Sequence, residues 1–256
     1  METRITAIAN QKGGVGKSTT AAALAAGLLQ AGRSALLIDA DTQGNITYSA
    51  GANEKRPGLY ELLRGKASAA AAIQQTAQGD IISSSGALAA SEFEFNRETA
   101  GDRWAYLLKD AIAPLAGKYQ HIVIDTPPQL GTLTANALTA ATDVIITVQA
   151  DIFSLQGLAA LNETIKQIKA RYNPGLKIAG ILITRYQGRT ILARDLKASL
   201  ADAAAHMGTK LYSATIREGI AIKEAQALNR SIFDAAPKSG PALDYAEFIT
   251  EYLKTE

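Results

Sequence analysis

Asn10-Gln11-Lys12-Gly13-Gly14-Val15-Gly16-Lys17-Ser18-Thr19 stands between the apolar run Arg4–Ala9 and an alanine-rich segment that starts at Lys17. Strand, glycine-rich turn and helix N-terminus, in that order, make a phosphate-binding loop. Glycines let backbone amides curl round a polyphosphate, and the helix start favours anions. The lysine neutralises β- and γ-oxygens, and the hydroxyl after it can ligate Mg2+. Lys17 and Ser18 fit those last two roles. The strict G-x-x-x-x-G-K-[ST] spacing fails, because Gln11 occupies the first glycine position and Lys12 follows it. A bare Gly-Lys-Ser would read first as a surface turn. The flanking strand and helix, with Gly13, Gly14 and Gly16 inside four residues, decide for phosphate.

Outward from the loop, short β-branched runs alternate with longer helix-compatible segments. Arg4–Ala9, Ala35–Asp39, His121–Asp125, Val144–Val148 and Ile178–Ile183 read as strands. Lys17–Ala31, Asp102–Leu115, Thr132–Ala140, Leu155–Tyr172, Ile191–His206 and Ala242–Leu253 read as helices. Within residues 50–95 the pattern is weaker, with a short helix at Leu59–Leu63, an alanine-rich helical patch at Ala67–Ala72 and an added strand at Asp80–Ser83. Repeated strand-then-helix predicts an α/β fold of three layers, a mostly parallel central sheet with helices on both faces. Ligands in such folds gather at the carboxyl ends of the strands.

The 256 residues carry 26 Lys plus Arg against 24 Asp plus Glu, a net charge of +2, with 47% hydrophobic residues. That suits one domain over 1–256 with a substantial core. The absence of cysteine excludes disulfides, thiolate zinc sites and cysteine-ligated iron–sulfur clusters. No apolar stretch approaches the roughly 20 residues of a membrane span, and Met1-Glu2-Thr3-Arg4 does not open a signal peptide, so the expected place is the cytoplasm.

Lys12-Gly13-Gly14-Val15-Gly16-Lys17-Ser18-Thr19 resembles the deviant Walker A loop of the ParA/MinD superfamily of P-loop ATPases, and among them the short, Soj-like ParA partition ATPases. LLIDADTQGN at 36–45 is similar to the family's second acidic motif, with Thr42 where proline is usual. HIVIDTPPQLG at 121–131 is similar to its Walker B strand and switch loop. VQADIFSLQGL at 148–158 and ILITRYQGRT at 181–190 resemble its later segments, so the likeness spans nearly the whole chain and is weakest over 50–103 and in the final helix.

The resemblance implies a P-loop NTPase fold with ATP and Mg2+ as cofactors, and Lys12, Gly13, Gly14, Val15, Gly16, Lys17, Ser18 and Thr19 as the nucleotide loop. Lys12 becomes the signature lysine, which reaches across a nucleotide-sandwich homodimer to the other subunit's phosphates. Asp41 orients the attacking water, and Ser18, Asp39 and Asp125 attend the metal. Asp39 reads equally as a structural acceptor at a strand end. Thr126, Pro127 and Pro128 become a switch loop sensing the γ-phosphate. By fold analogy, adenine contacts fall near Ile216–Glu218 and Ala235–Pro237.

Between Arg185 and Arg230 the chain is +4, with eight basic and four acidic residues. A basic patch doubled by dimerisation suffices for salt-sensitive, nonspecific DNA binding. Arg189 and Lys223 are the preferred DNA contacts, although the family's arginine before the Glu-Ala pair is not matched here. The partners implied are DNA, a second copy of the chain and a ParB-type adaptor that stimulates hydrolysis, with the protein on the nucleoid. A MinD-like membrane role is disfavoured, because the last seventeen residues sum to −3 and anionic lipid would repel them. Two other readings remain: protein-cargo positioning, and small-molecule phosphoryl transfer of the dethiobiotin synthetase or cobyrinate amidase type.

Overall fold

The computed structural model describes residues 3–89, 101–151, 153–188 and 191–255. Eight strands form one sheet: β1 (Arg4–Ala9), β2 (Ala35–Asp39), β3 (Ile73–Thr76), β4 (Gly79–Ile82), β5 (His121–Asp125), β6 (Asp143–Gln149), β7 (Lys177–Thr184) and β8 (Leu211–Thr215). Their order is β3-β4-β2-β5-β1-β6-β7-β8, parallel throughout except for the antiparallel pair β3–β4. The longer helices are α1 (Lys17–Gln30), α2 (Thr132–Ala140), α3 (Ser154–Arg171), α4 (Ile191–His206), α5 (Ile220–Ala227) and α6 (Gly240–Leu253).

Successive strand residues feed two separate cores, because side chains alternate across a pleated sheet. Ala7, Ala9, Leu36, Ile38, Ile122, Ile124, Ile181 and Ile183 point to one, where α2, α3 and α4 pack. Ile8, Leu37, Val123, Ile145 and Leu182 point to the other, with α1, α5 and α6. Runs such as Ile122-Val123-Ile124 are therefore apolar at every position. Gly27 lets α1 and α6 touch, since a Cβ there would clash with Ile249 Cδ1 and meet Phe233 at 3.2 Å.

The expected α/β fold, with helices on both faces of a mostly parallel sheet, is what forms. Strands Arg4–Ala9, Ala35–Asp39 and His121–Asp125 match residue for residue, and Val144–Val148 and Ile178–Ile183 each gain a residue at both ends. The helix expected over Asp102–Leu115 is instead broken into a 3-10 turn at Gly101–Tyr106, a short helix at Leu107–Ile112 and a second 3-10 turn at Ala113–Leu115. The buried Asn136 side chain causes the first break. It accepts from Leu108 N–H at 3.0 Å and donates to Trp104 O at 2.7 Å, taking backbone groups that a continuous helix would pair internally.

β3 and β8 lie at the two edges of the sheet, and neither is apolar enough to stand out in the sequence. Gln74 holds β3 by donating to Asn53 O and Ser83 Oγ. Glu251 of α6 accepts from Ser213 N–H at 2.9 Å, covering the open edge of β8.

Candidate functional site

β1 lies between β5 and β6, so the loop after Ala9 opens among the carboxyl ends of the central strands. Gly14 and Gly16 sit at φ 76 and 75, where a side chain would strain the backbone, and Gly16 starts α1. Neighbouring strand ends hold the loop in place. Asn10 donates to Thr147 O and accepts from Lys12 N–H at 2.9 Å. Thr184 Oγ1 donates to Val15 O at 2.8 Å, and Gln149 donates to Gly14 O at 3.0 Å.

A cavity of about 780 Å3 opens over this loop, lined by Gly13, Gly14, Gly16, Lys17, Ser18, Thr19 and Asp41 among others. That volume suits a nucleotide-sized ligand. Lys17 is 5% exposed and its Nζ donates to Lys12 O at 3.1 Å. Burial lowers its pKa, while Asp125 and Asp41 oppose the shift.

Asp39 and Asp125 are paired in register at the ends of β2 and β5, both fully buried. Burial pushes Asp39 up to about 6, against hydrogen bonds from Thr47 Oγ1, Thr47 N–H and Asp41 N–H that favour its charge. Those bonds make Asp39 the anchor of the 41–47 loop. Asp125 differs, because neither of its oxygens accepts a hydrogen bond of ordinary geometry. Burial and then the neighbouring Asp39 raise its pKa well above the usual carboxylate range, and the adjacent Ser18 and Lys17 work against that rise.

A buried, unsatisfied carboxylate beside Ser18 is what a divalent cation would complete. No group of three or more His, Cys, Asp or Glu side chains among the described residues could hold a metal ion on its own. Mg2+ here would share its shell with phosphate and water, its usual arrangement in nucleotide sites. Asp41 lines the cavity, its Oδ1 accepting from Gln43 N–H at 3.0 Å. Thr126 Oγ1 donates to Ile8 O at 2.8 Å and ties the start of the 126–128 turn to β1.

Residues 3–178 match the family described as AAA domain. The chromosome partitioning protein ParA of Caulobacter vibrioides is 37% identical over 259 residues, covering 99% of this chain and 95% of that protein. The chain belongs to the ParA/MinD family of P-loop ATPases. Within that family the chromosome-partitioning ATPase Soj of Thermus thermophilus is also 37% identical, over 247 residues, 96% of this chain and 94% of its own. The crystal structure of cobyrinic acid a,c-diamide synthase from Mycobacterium smegmatis with bound ADP and magnesium superposes with a TM-score of 0.80. It is 35% identical, with 98% of this chain and 94% of that chain covered.

Lys12, expected to be the signature lysine, forms an ion pair with Asp151 just past the end of β6, in the VQADIFSLQGL segment. Burial opposes the shift at Asp151, but hydrogen bonds from Lys12 and Ser154 carry its pKa below the usual carboxylate range. Lys223, expected to meet DNA, is exposed on the wall of the nucleotide cavity. Arg189 lies outside the described residues. Of the two stretches expected near the adenine, Ile216, Arg217 and Glu218 line the cavity, whereas Ala235–Pro237 are not among its lining residues. Asp151, Arg185 and Tyr48 also stand at the site and carry no local motif of their own. Asp151 and Arg185 had one signal each, their places in the quoted family segments at 148–158 and 181–190.

Proposed function

We propose that the chain is a DNA-partitioning ATPase, one domain over 1–256, that binds ATP and Mg2+ and closes into a nucleotide-sandwich homodimer. The observation that carries this is the convergence of Lys17, Ser18 and Asp41 on one cavity, with Asp125 orphaned below it and Lys12 on a half-exposed ion pair at the loop's edge.

In this reading the amides of residues 13–19 and the Lys17 ammonium hold the phosphates. Ser18 and Asp125, with Asp39 beside them, would hold Mg2+, whose charge offsets that of the β- and γ-oxygens. Asp41 orients the attacking water. Lys12 and Asp151 have side chains 41% and 31% exposed, and pairs so exposed contribute about 0–1 kcal/mol. Exchange of Asp151 for a partner subunit's polyphosphate is therefore favourable for Lys12. There it stabilises charge developing during transfer. Thr126–Pro128 report the γ-phosphate, and a ParB-type adaptor stimulates hydrolysis and release.

The DNA surface is the +4 segment between Arg185 and Arg230. Arg185, Lys210 and Arg217 are already paired with Glu218, Glu251 and Asp244. Arg194 and Lys223 are exposed, and with Arg189 they are the assigned phosphate contacts. A membrane role fits poorly, because Tyr245, Phe248, Ile249 and Tyr252 bury the apolar face of α6 in the core. No helix among the described residues is long and apolar enough to cross a membrane. The protein acts in the cytoplasm, on the nucleoid.

Electrophoretic or interferometric DNA binding by the wild type and Asp41→Ala, with ATP, ADP or no nucleotide at two salt concentrations, tests the reading. ATP-dependent, sequence-independent binding that weakens steeply with salt is expected, with Asp41→Ala trapped in the binding state. Binding in no state would count against DNA as the partner. The Mycobacterium neighbour's name favours a small-molecule reading, which would instead require turnover with a carboxylate substrate and no DNA.

A further inference from the structure

Arg185, the first residue after β7, has a left-handed backbone at φ 50. A residue with a side chain holds that conformation where its surroundings impose it, and such residues gather at ligand clamps. On one side, Thr184 Oγ1 donates to Val15 O in the phosphate loop. On the other, Tyr186 N–H donates to Ile216 O at 2.9 Å. The guanidinium is then pinned through its edges, donating to Glu218 Oε1 at 2.7 Å and to Gly14 O at 3.4 Å. The loop carrying Glu218 is itself fixed, since Asp244 accepts from Arg217 N–H, Nε and Nη2. Arg185, Glu218, Ile216 and Gly14 all line the cavity that contains Lys17 and Ser18.

We propose that Arg185 is the platform on which the nucleotide's base stacks, with Glu218 positioning its guanidinium; this deepens the ATPase reading and rests on it. A guanidinium whose N–H edges are engaged still presents its flat faces, and a flat delocalised cation stacks on an aromatic ring. The Glu218 carboxylate, 2.7 Å from the guanidinium, makes the pair neutral and repels phosphate, so the pair suits an uncharged base and not the triphosphate. The triphosphate has Lys17, Ser18 and the loop amides, which line the same cavity.

The test is calorimetric titration of wild type, Arg185→Ala, Arg185→Gly and Glu218→Gln with Mg2+ and either ATP or inorganic tripolyphosphate, which has no base. Arg185→Ala is expected to bind ATP roughly five- to a hundredfold more weakly, the range for loss of one stacked base, and tripolyphosphate within about twofold of wild type. Arg185→Gly, which tolerates the left-handed backbone, guards against misfolding and should show the same selective loss with an unimpaired melting temperature. Glu218→Gln should fall between wild type and Arg185→Ala. Equal weakening towards ATP and tripolyphosphate would make Arg185 a phosphate ligand and overturn the proposal, as would unchanged ATP affinity. A wild type that binds neither ligand would overturn the ATPase reading instead.

Discussion

Asp125→Asn should stabilise the protein without ligand while removing its activity. Asp125 is 0% exposed, neither oxygen accepts an ordinary hydrogen bond, and Asp39 stands opposite it on β2. A buried polar group left unsatisfied costs about 1–3 kcal/mol, and more when charged. Asparagine keeps the shape and removes the charge. Lys17 returns part of the gain, because Asp125 is the first of the charges that favour its ammonium. A net stabilisation of about 1–3 kcal/mol at pH 7.5 follows, or about 2–10 °C in Tm for a chain of this size.

The pH dependence has a definite sign. The pKa of Asp125 in the folded state lies well above its usual 3.8, so its contribution to stability is full below 3.8 and is lost as pH rises through the folded value. Asp39, pushed up to about 6, acts in the same direction. The advantage of Asp125→Asn should therefore shrink between pH 7.5 and pH 5. Thermal melts at both pH values, with and without Mg2+ and ATP, are the assay. Ligand should raise the Tm of the wild type more than that of the variant. A variant that melts below wild type at both pH values without ligand would refute the argument, since it would mean that Asp125 has a stabilising partner in the resting fold.

Lys17→Ala should move stability the other way, lowering Tm by about 1–3 kcal/mol equivalent because it strips a cation from two buried carboxylates, and it should abolish ATP binding in a titration. Gly27→Val should destabilise by about 1–3 kcal/mol or more in urea unfolding, because the added atoms fall on Ile249 and Phe233. A Gly27→Val protein as stable as wild type would mean that α6 can slide away from α1.

The loop and the two acidic strand ends were legible because each is local: a strand ends, glycines turn, and a lysine and a hydroxyl follow within ten residues. The central strands were legible for a related reason, since burial on both faces leaves unbroken apolar runs such as Ile122-Val123-Ile124. Edge strands lack that signature. Ile73-Gln74-Gln75-Thr76 is held by side-chain bonds from Gln74 to partners elsewhere in the chain, which no window of sequence displays. The same holds for the break in the 102–115 segment, made by Asn136 some thirty residues on. Asp151, Arg185 and Glu218 reach the site only once β6, β7 and β8 line up, so their spacing along the chain carries no chemical pattern. Lys223 was read as a surface charge and is exposed, but the fold also sets it on the wall of the cavity, a placement its sequence neighbourhood does not display.

The central claim is that a lysine outside the ordinary loop spacing, Lys12, completes catalysis across a dimer, and it is tested most directly by ATP hydrolysis and ATP binding in Lys12→Ala. Hydrolysis per wild-type molecule should rise with protein concentration, and Lys12→Ala should bind ATP at near wild-type affinity yet lose that concentration-dependent turnover. A Lys12→Ala protein hydrolysing ATP at the wild-type rate would contradict it.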